Sequence, residues 1–226
     1  MGPRLVALAC VGLMAAGCGK AEELEKLADQ NQELKEEIRA LKAQIEEAKR
    51  LSALGDRMKE LSARIVTNRG DIELTFFPDK APIHCFNFLV RAESGYYDRS
   101  RFHRVIPGFM IQGGDPNSKD ENPYNDGQGG PIFNIPHEFN EVSHRRGVLS
   151  MARQSDVSVG AGSQFFIMHG DNPGLDRQYT AFGEVTRGME VVDRIATTPT
   201  EKADPRLRDQ PVDPVVIERV EVSRQE

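Results

Sequence analysis

The chain has 226 residues, 28% of them charged and 38% hydrophobic, and a net charge of -6. That length holds one sizeable domain plus an extension, and a hydrophobic share slightly low for a wholly globular chain points to a polar, solvated element. The acidic balance argues against nucleic acid, which demands a basic face, and the three cysteines, Cys10, Cys18 and Cys85, give no readable disulfide framework.

Residues 5–16 form an almost wholly apolar run preceded by Arg4. The run is too short for a stable transmembrane helix. A basic start, a short apolar stretch and small residues at its end describe an export signal. Ala15-Ala16-Gly17-Cys18 resembles the lipobox of bacterial lipoproteins, although Leu is commoner where Ala15 stands. The resemblance implies a signal peptide over residues 1–17, cleavage before Cys18 and a lipid on its thiol. Several acyl chains on one Cys hold a protein to a membrane far better than one chain does. The expected location is the cell envelope, facing the periplasm. Gly19 offers no inner-membrane retention signal by analogy, which favours the outer membrane. The alternative is an ordinary cleaved signal with Cys18 in a flexible tail. Cys85 reads as a buried small hydrophobe.

From Ala21 the composition shifts to Glu, Lys, Leu, Ala and Gln, with no Pro or Gly before Gly55. Leu24, Asn31, Ile38 and Ile45 fall at heptad position a, and Leu27, Leu34, Leu41 and Ala48 at d. Glu37 and Lys42 take g and the following e, suited to pairing across a parallel dimer, and an Asn at a fixes register in two strands. After Ala48 the phase slips, and Leu51, Leu54, Met58, Leu61 and Ile65 continue in a new frame. Residues 18–62 therefore read as a lipidated N-terminus and a coiled-coil stalk, a homodimer ahead of a trimer. The bland alternative is one amphipathic helix lying on the globular domain.

Residues 63–226 read as that domain. Ile65-Val66-Thr67, a turn at Asn68-Arg69-Gly70, and Ile72, Leu74 and Phe76 predict a hairpin. Pro82 suits the first turn of a helix running to about Ser94, with Gly95 as its stop. Strands are predicted at 109–112, 148–152, 163–168, 181–185 and 215–222, with a second helix at 188–196. The stretch 115–146, rich in Gly, Asn, Asp and Pro, is long enough to suggest function. Many strands with two helices predict a mainly β fold: a closed β-barrel with helical plugs.

Several blocks then identify a family. Phe102-His103-Arg104-Val105-Ile106-Pro107-Gly108-Phe109-Met110-Ile111-Gln112-Gly113-Gly114-Asp115 closely resembles the cyclophilin signature. Gly147-Val148-Leu149-Ser150-Met151-Ala152, Gly162-Ser163-Gln164-Phe165-Phe166-Ile167, Leu175-Asp176 and Ala181-Phe182-Gly183-Glu184-Val185 follow in the family's order. The resemblance implies an eight-stranded antiparallel barrel with two helices, and peptidyl-prolyl cis-trans isomerase activity.

It also implies roles. Arg104 matches the catalytic arginine, and Gln112 and Gln164 match positions that hydrogen-bond peptide backbone or orient that arginine. Phe109, Met110, Phe166 and Leu175 match the proline pocket, and Ala152 and Arg153 the neighbouring groove. On strand periodicity alone, Met110 shares a face with Gln112, and Gln164 with Phe166. Departures are Arg153 where many members have Asn, Tyr179 where a His is common, and Gly174 where some carry a Trp that contributes to cyclosporin binding. The five histidines lack metal-ligand spacing, so no metal and no cofactor is expected. The expected partners are proline-containing polypeptides of exported proteins and, through Cys18, a membrane. A tethered proline-peptide binder with incidental catalysis is the competing reading; the complete arginine, Phe-Met and Gln set favours the enzyme.

Overall fold

A computed structural model describes residues 26, 27, 29–46, 49 and 54–224. The chain divides into two units, Met1–Leu51 and Ser52–Glu226. The signal, Cys18, Leu24 and Ala48 lie outside the described residues.

In the first unit residues 29–46 are continuously helical and exposed all round. Leu34, Ile38, Leu41 and Ile45, the described heptad leucines and isoleucines of that run, are each about half exposed, at 49–56%. They form an apolar row that no other described residue covers.

In the second unit residues 54–59 make a short helical stretch whose Met58 is buried in the core. Strand β1 begins at once (Leu61–Thr67), so the domain boundary drawn at 63 falls inside a strand. The second heptad frame therefore does not continue as a helix through Leu61 and Ile65: Leu61 pairs with Arg224 and Ile65 with Val220 in a β ladder. β2 (Gly70–Phe76) completes the predicted hairpin, with Ile65 opposite Ile72. Helix α1 (Pro82–Glu93) starts on Pro82 and stops before Gly95, whose φ of +70° is free of strain only for glycine. Its N-cap Ala81 has no capping side chain. Glu138 takes that role: its carboxylate accepts from the backbone N–H of Ile83 (3.1 Å) and His84 (2.9 Å).

The remaining elements are β3 (Arg104–Ile106), β4 (Met110–Gly113), β5 (Val148–Arg153), β6 (Ala161–Met168), β7 (Thr180–Arg187), helix α2 (Met189–Ala196) and β8 (Ile217–Arg224). They form one antiparallel sheet in the order β3-β4-β6-β5-β7-β2-β1-β8. Its concave side encloses the core. Phe88 of α1 sits among Phe76, Tyr97, Phe165 and Phe182, ring centroids 5.1–5.7 Å apart. Cys85 is fully buried, its thiol donates to the Phe182 carbonyl (3.3 Å), and burial pushes its pKa up to about 12. It is the small hydrophobe expected.

The barrel is not closed. β3 and β8 are the two ends of the sheet, and no ladder joins them among the described residues. The chain just before β3 reaches the start of β8 through one bridge, Arg101 to Val216, and bonds from Arg99 N to Ile217 O and Phe102 N to Val215 O. Within β3 itself, the outward N–H of Val105 donates to the Asp209 carbonyl in the loop before β8. A three-residue strand whose free edge is satisfied by a loop needs no strand partner there. The sheet is a curled half-barrel.

Candidate active site

The register of three strands assembles the site. Arg104 on β3 lies opposite Gln112 on β4, and Gln112 lies opposite Phe166 on β6. Opposed residues on a pleated sheet share a face, so this row presents one cation, one amide and one ring together. Met110 and Gln164 sit two residues along from Gln112 and Phe166 and share that face, as expected. The alternate residues Ile111, Phe165 and Ile167 point into the core. The site thus stands on the convex side, over a second apolar cluster of Met110, Val148, Phe166, Met168 and Ala181.

A cavity of about 180 Å³ opens there, lined by Arg104, Phe109, Met110, Gln112, Ala152, Arg153, Phe166, Leu175 and Tyr179. These are nine of the ten residues singled out above; the tenth, Gln164, lines a larger adjoining cavity of about 490 Å³. Gln112, Ala152 and Arg153 line both. Phe166 meets Tyr179 edge-on at 5.6 Å, and the Arg153 guanidinium lies 4.6 Å from the Tyr179 ring centroid.

The arginine is held in place. Arg104 Nη1 donates to Gln112 Oε1 (3.4 Å), and Nε to Asp209 Oδ2 (3.5 Å). Gln112 Nε2 donates to Gln164 Oε1 (3.0 Å), and Gln164 Nε2 to the Gly129 carbonyl (2.8 Å). The chain ends on a glycine that has no room for a side chain: a Cβ there would lie 2.1 Å from Asp115 Oδ1. Asp115 is buried and accepts from the N–H of Asn117, Gly127 and Gly129, folding the loop back over the large cavity.

Behind the small cavity lies a buried polar set. His144 bonds Asp176 through Nδ1 (3.0 Å) and Ser150 through Nε2 (3.0 Å), and its ring stacks on Phe166 at 6.1 Å. Asp176 also accepts from the His144 N–H (2.8 Å) and Ser143 Oγ (2.9 Å), tying that segment to the turn Pro173–Leu175 that carries Leu175. Burial lowers the His144 pKa; the Asp176 carboxylate opposes that shift without overcoming it. His144 and Asp209 carried no signal of their own in the sequence, because each is defined by a partner far along the chain. Among the described residues no group of three or more His, Cys, Asp or Glu is placed to hold a metal ion.

Comparison with known proteins agrees. Residues 62–222 match the family described as cyclophilin type peptidyl-prolyl cis-trans isomerase/CLD. Peptidyl-prolyl cis-trans isomerase A of Dickeya dadantii is 40% identical over 167 residues, 70% of this chain and 82% of that protein. A peptidyl-prolyl cis-trans isomerase of Synechococcus elongatus is 42% identical over 141 residues, 59% of this chain and 91% of the relative. A cyclophilin type isomerase of Cryptosporidium parvum, crystallised in the presence of the dipeptide Ala-Pro, superposes with a TM-score of 0.63 at 35% identity, covering 73% of this chain and 99% of that one. With the arginine, amide and aromatic row on one sheet face and a family match over residues 62–222, the chain belongs to the cyclophilin family of peptidyl-prolyl cis-trans isomerases.

Proposed function

We propose that the small cavity seats the proline ring of an X-Pro segment and that Arg104 promotes rotation about its amide. Resonance gives a peptide bond a rotation barrier of about 18–20 kcal/mol, and uncatalysed X-Pro exchange takes tens to hundreds of seconds. Twisting breaks the resonance and leaves the proline nitrogen pyramidal with a localised lone pair. The reaction needs no nucleophile and no leaving group. It needs a ring held still and a donor whose bond strengthens in the twisted state. Phe109, Met110, Phe166, Leu175 and Tyr179 supply apolar walls; the Arg104 fork, always charged, supplies the donor. Gln112 positions that fork. The observation that carries this reading is the Arg104–Gln112–Phe166 row.

The test is the cis-to-trans exchange rate of a short X-Pro peptide with the full chain and with Arg104→Ala. A fall of about 100-fold or more is expected, with the thermal unfolding midpoint unchanged. Full activity in Arg104→Ala sinks the mechanism.

The clients in this proposal are exported proteins in the cell envelope, reached from a lipid anchor on Cys18, in the outer membrane rather than the inner. The lipobox-like Ala15-Ala16-Gly17-Cys18 supports the anchor. The half-exposed row of Leu34, Ile38, Leu41 and Ile45 supports a coiled-coil homodimer as spacer. Cys18→Ser should move the protein from the membrane to the soluble fraction; retention on membranes rejects the lipid. Sedimentation equilibrium in detergent that finds only monomer rejects the coiled coil.

A further inference from the structure

The lining of the two cavities differs in charge from the chain that builds it. The chain carries a net charge of -6, yet no Asp or Glu lines either cavity. The charged residues there are Arg104 and Arg153 in the small cavity and Arg153 alone in the large one. Arg153 stands where they meet. Its Nε donates to the Gln178 carbonyl (2.8 Å) and its Nη1 to the Gln154 carbonyl (2.8 Å). Its guanidinium also lies over the Tyr179 ring. Every one of these partners is neutral. Elsewhere Arg64, Arg145, Arg146 and Arg206 are paired with carboxylates, and Arg104 has Asp209 at 3.5 Å. Arg153 has no carboxylate within ion-pair distance among the described residues.

A cation fixed by neutral acceptors, without a counter-charge, on the wall of a peptide groove suits a carboxylate. Its orientation is already set, so an incoming acid does not have to order it. We infer that Arg153 is a specificity-determining residue, and that the enzyme prefers X-Pro segments with Asp or Glu close to the proline on the side that enters the large cavity. The inference rests on the proline occupying the small cavity. One exposed ion pair contributes little by itself. Attraction of Glu and repulsion of Lys act together, however, so the contrast between those two residues is the sensitive quantity. Screening shortens the interaction from a Debye length of about 10 Å at 0.1 M salt to about 3 Å at 1 M.

The experiment uses the full chain and a host peptide with one X-Pro bond. Glu, Gln or Lys is placed in turn at each position from three before to two after the proline, and kcat/KM is read from the exchange rate. At the favoured position Glu should exceed Lys by about five- to tenfold at low salt, with Gln between them. The ratio should fall towards one in 1 M salt and in Arg153→Gln, and persist in Arg153→Lys, which keeps the charge. An active enzyme with a ratio of one at every position overturns the inference, as does a preference that survives in Arg153→Gln. Failure to accelerate even the uncharged host peptide overturns the isomerase reading, and this inference with it.

Discussion

The two cavities that meet at Arg153 are made of opposite materials. The small one is walled by large side chains, Met110 and Phe166 on strands and Phe109, Leu175 and Tyr179 on the segments between strands. The large one is walled by backbone and amides, with Gly127, Gly129, Gly130, Gly160 and Gly162 among its lining. A packed side-chain pocket has one shape and selects one kind of group. A glycine-lined groove presents peptide N–H and C=O groups, which any polypeptide can match. The pairing suits a protein that must recognise proline while accepting many sequences around it.

The contrast can be broken from either side. Phe166 is 5% exposed and packs against both Tyr179 and His144. Phe166→Ala should cost about 3 kcal/mol in urea unfolding and remove most of the exchange activity. An unchanged midpoint would mean that the small cavity is not a packed pocket. On the other side, Gly129→Ala forces a Cβ to within 2.1 Å of Asp115 Oδ1. The loop must shift, which should cost about 2 kcal/mol and lower kcat/KM several-fold through the lost bond from Gln164. Wild-type values for both would show that the backbone wall is soft.

The smallest effect sharpens the charge side of the comparison. Asp126 stands next to Gly127 of the large cavity; burial, and secondarily the charge of Asp115, raise its pKa from 3.8 to about 6. Its Oδ2 accepts from Gln210 Nε2 (2.9 Å), and its Oδ1 is buried without a hydrogen-bond partner among the described residues. A carboxyl with a folded pKa above its unfolded one destabilises the fold when ionised. The penalty grows from pH 3.8 upward and is complete above about pH 6. Asp126→Asn should therefore be more stable than wild type at pH 7.5, by about 1 kcal/mol after allowance for solvent screening. The difference should vanish below pH 3.8. Equal stabilities at both pH values would show that this carboxyl is well solvated.

What was legible in the sequence was local. The β1–β2 hairpin follows from alternation around a short Asn-Arg-Gly turn, and α1 from Pro82 at its start and Gly95 at its end. The face shared by Met110 and Gln112 follows from a period of two. What was hidden depends on pairing across long separations. β3 is three residues long and exists because Val105 and Arg104 lie against Ile111 and Gln112. The open seam follows from that shortness and from the Asp209 carbonyl, more than a hundred residues away in sequence. The family resemblance brought the ten site residues to notice, and the structure gathers them around the cavities. The large cavity was foreshadowed by the length of the 115–146 stretch and, through the resemblance, by Ala152 and Arg153; its glycine wall gave no sign, since glycine backbone announces no chemistry.

The amides between Arg104 and Gly129 all point one way. Each oxygen takes a hydrogen from the arginine side, and each nitrogen passes one on, ending at a peptide carbonyl. None of these links gains or loses a proton in the range where proteins stay folded. A relay of carboxylates and imidazoles would rearrange as the medium acidified. These three links have no such degree of freedom, so they keep their direction through swings in acidity that would reset an ionisable network.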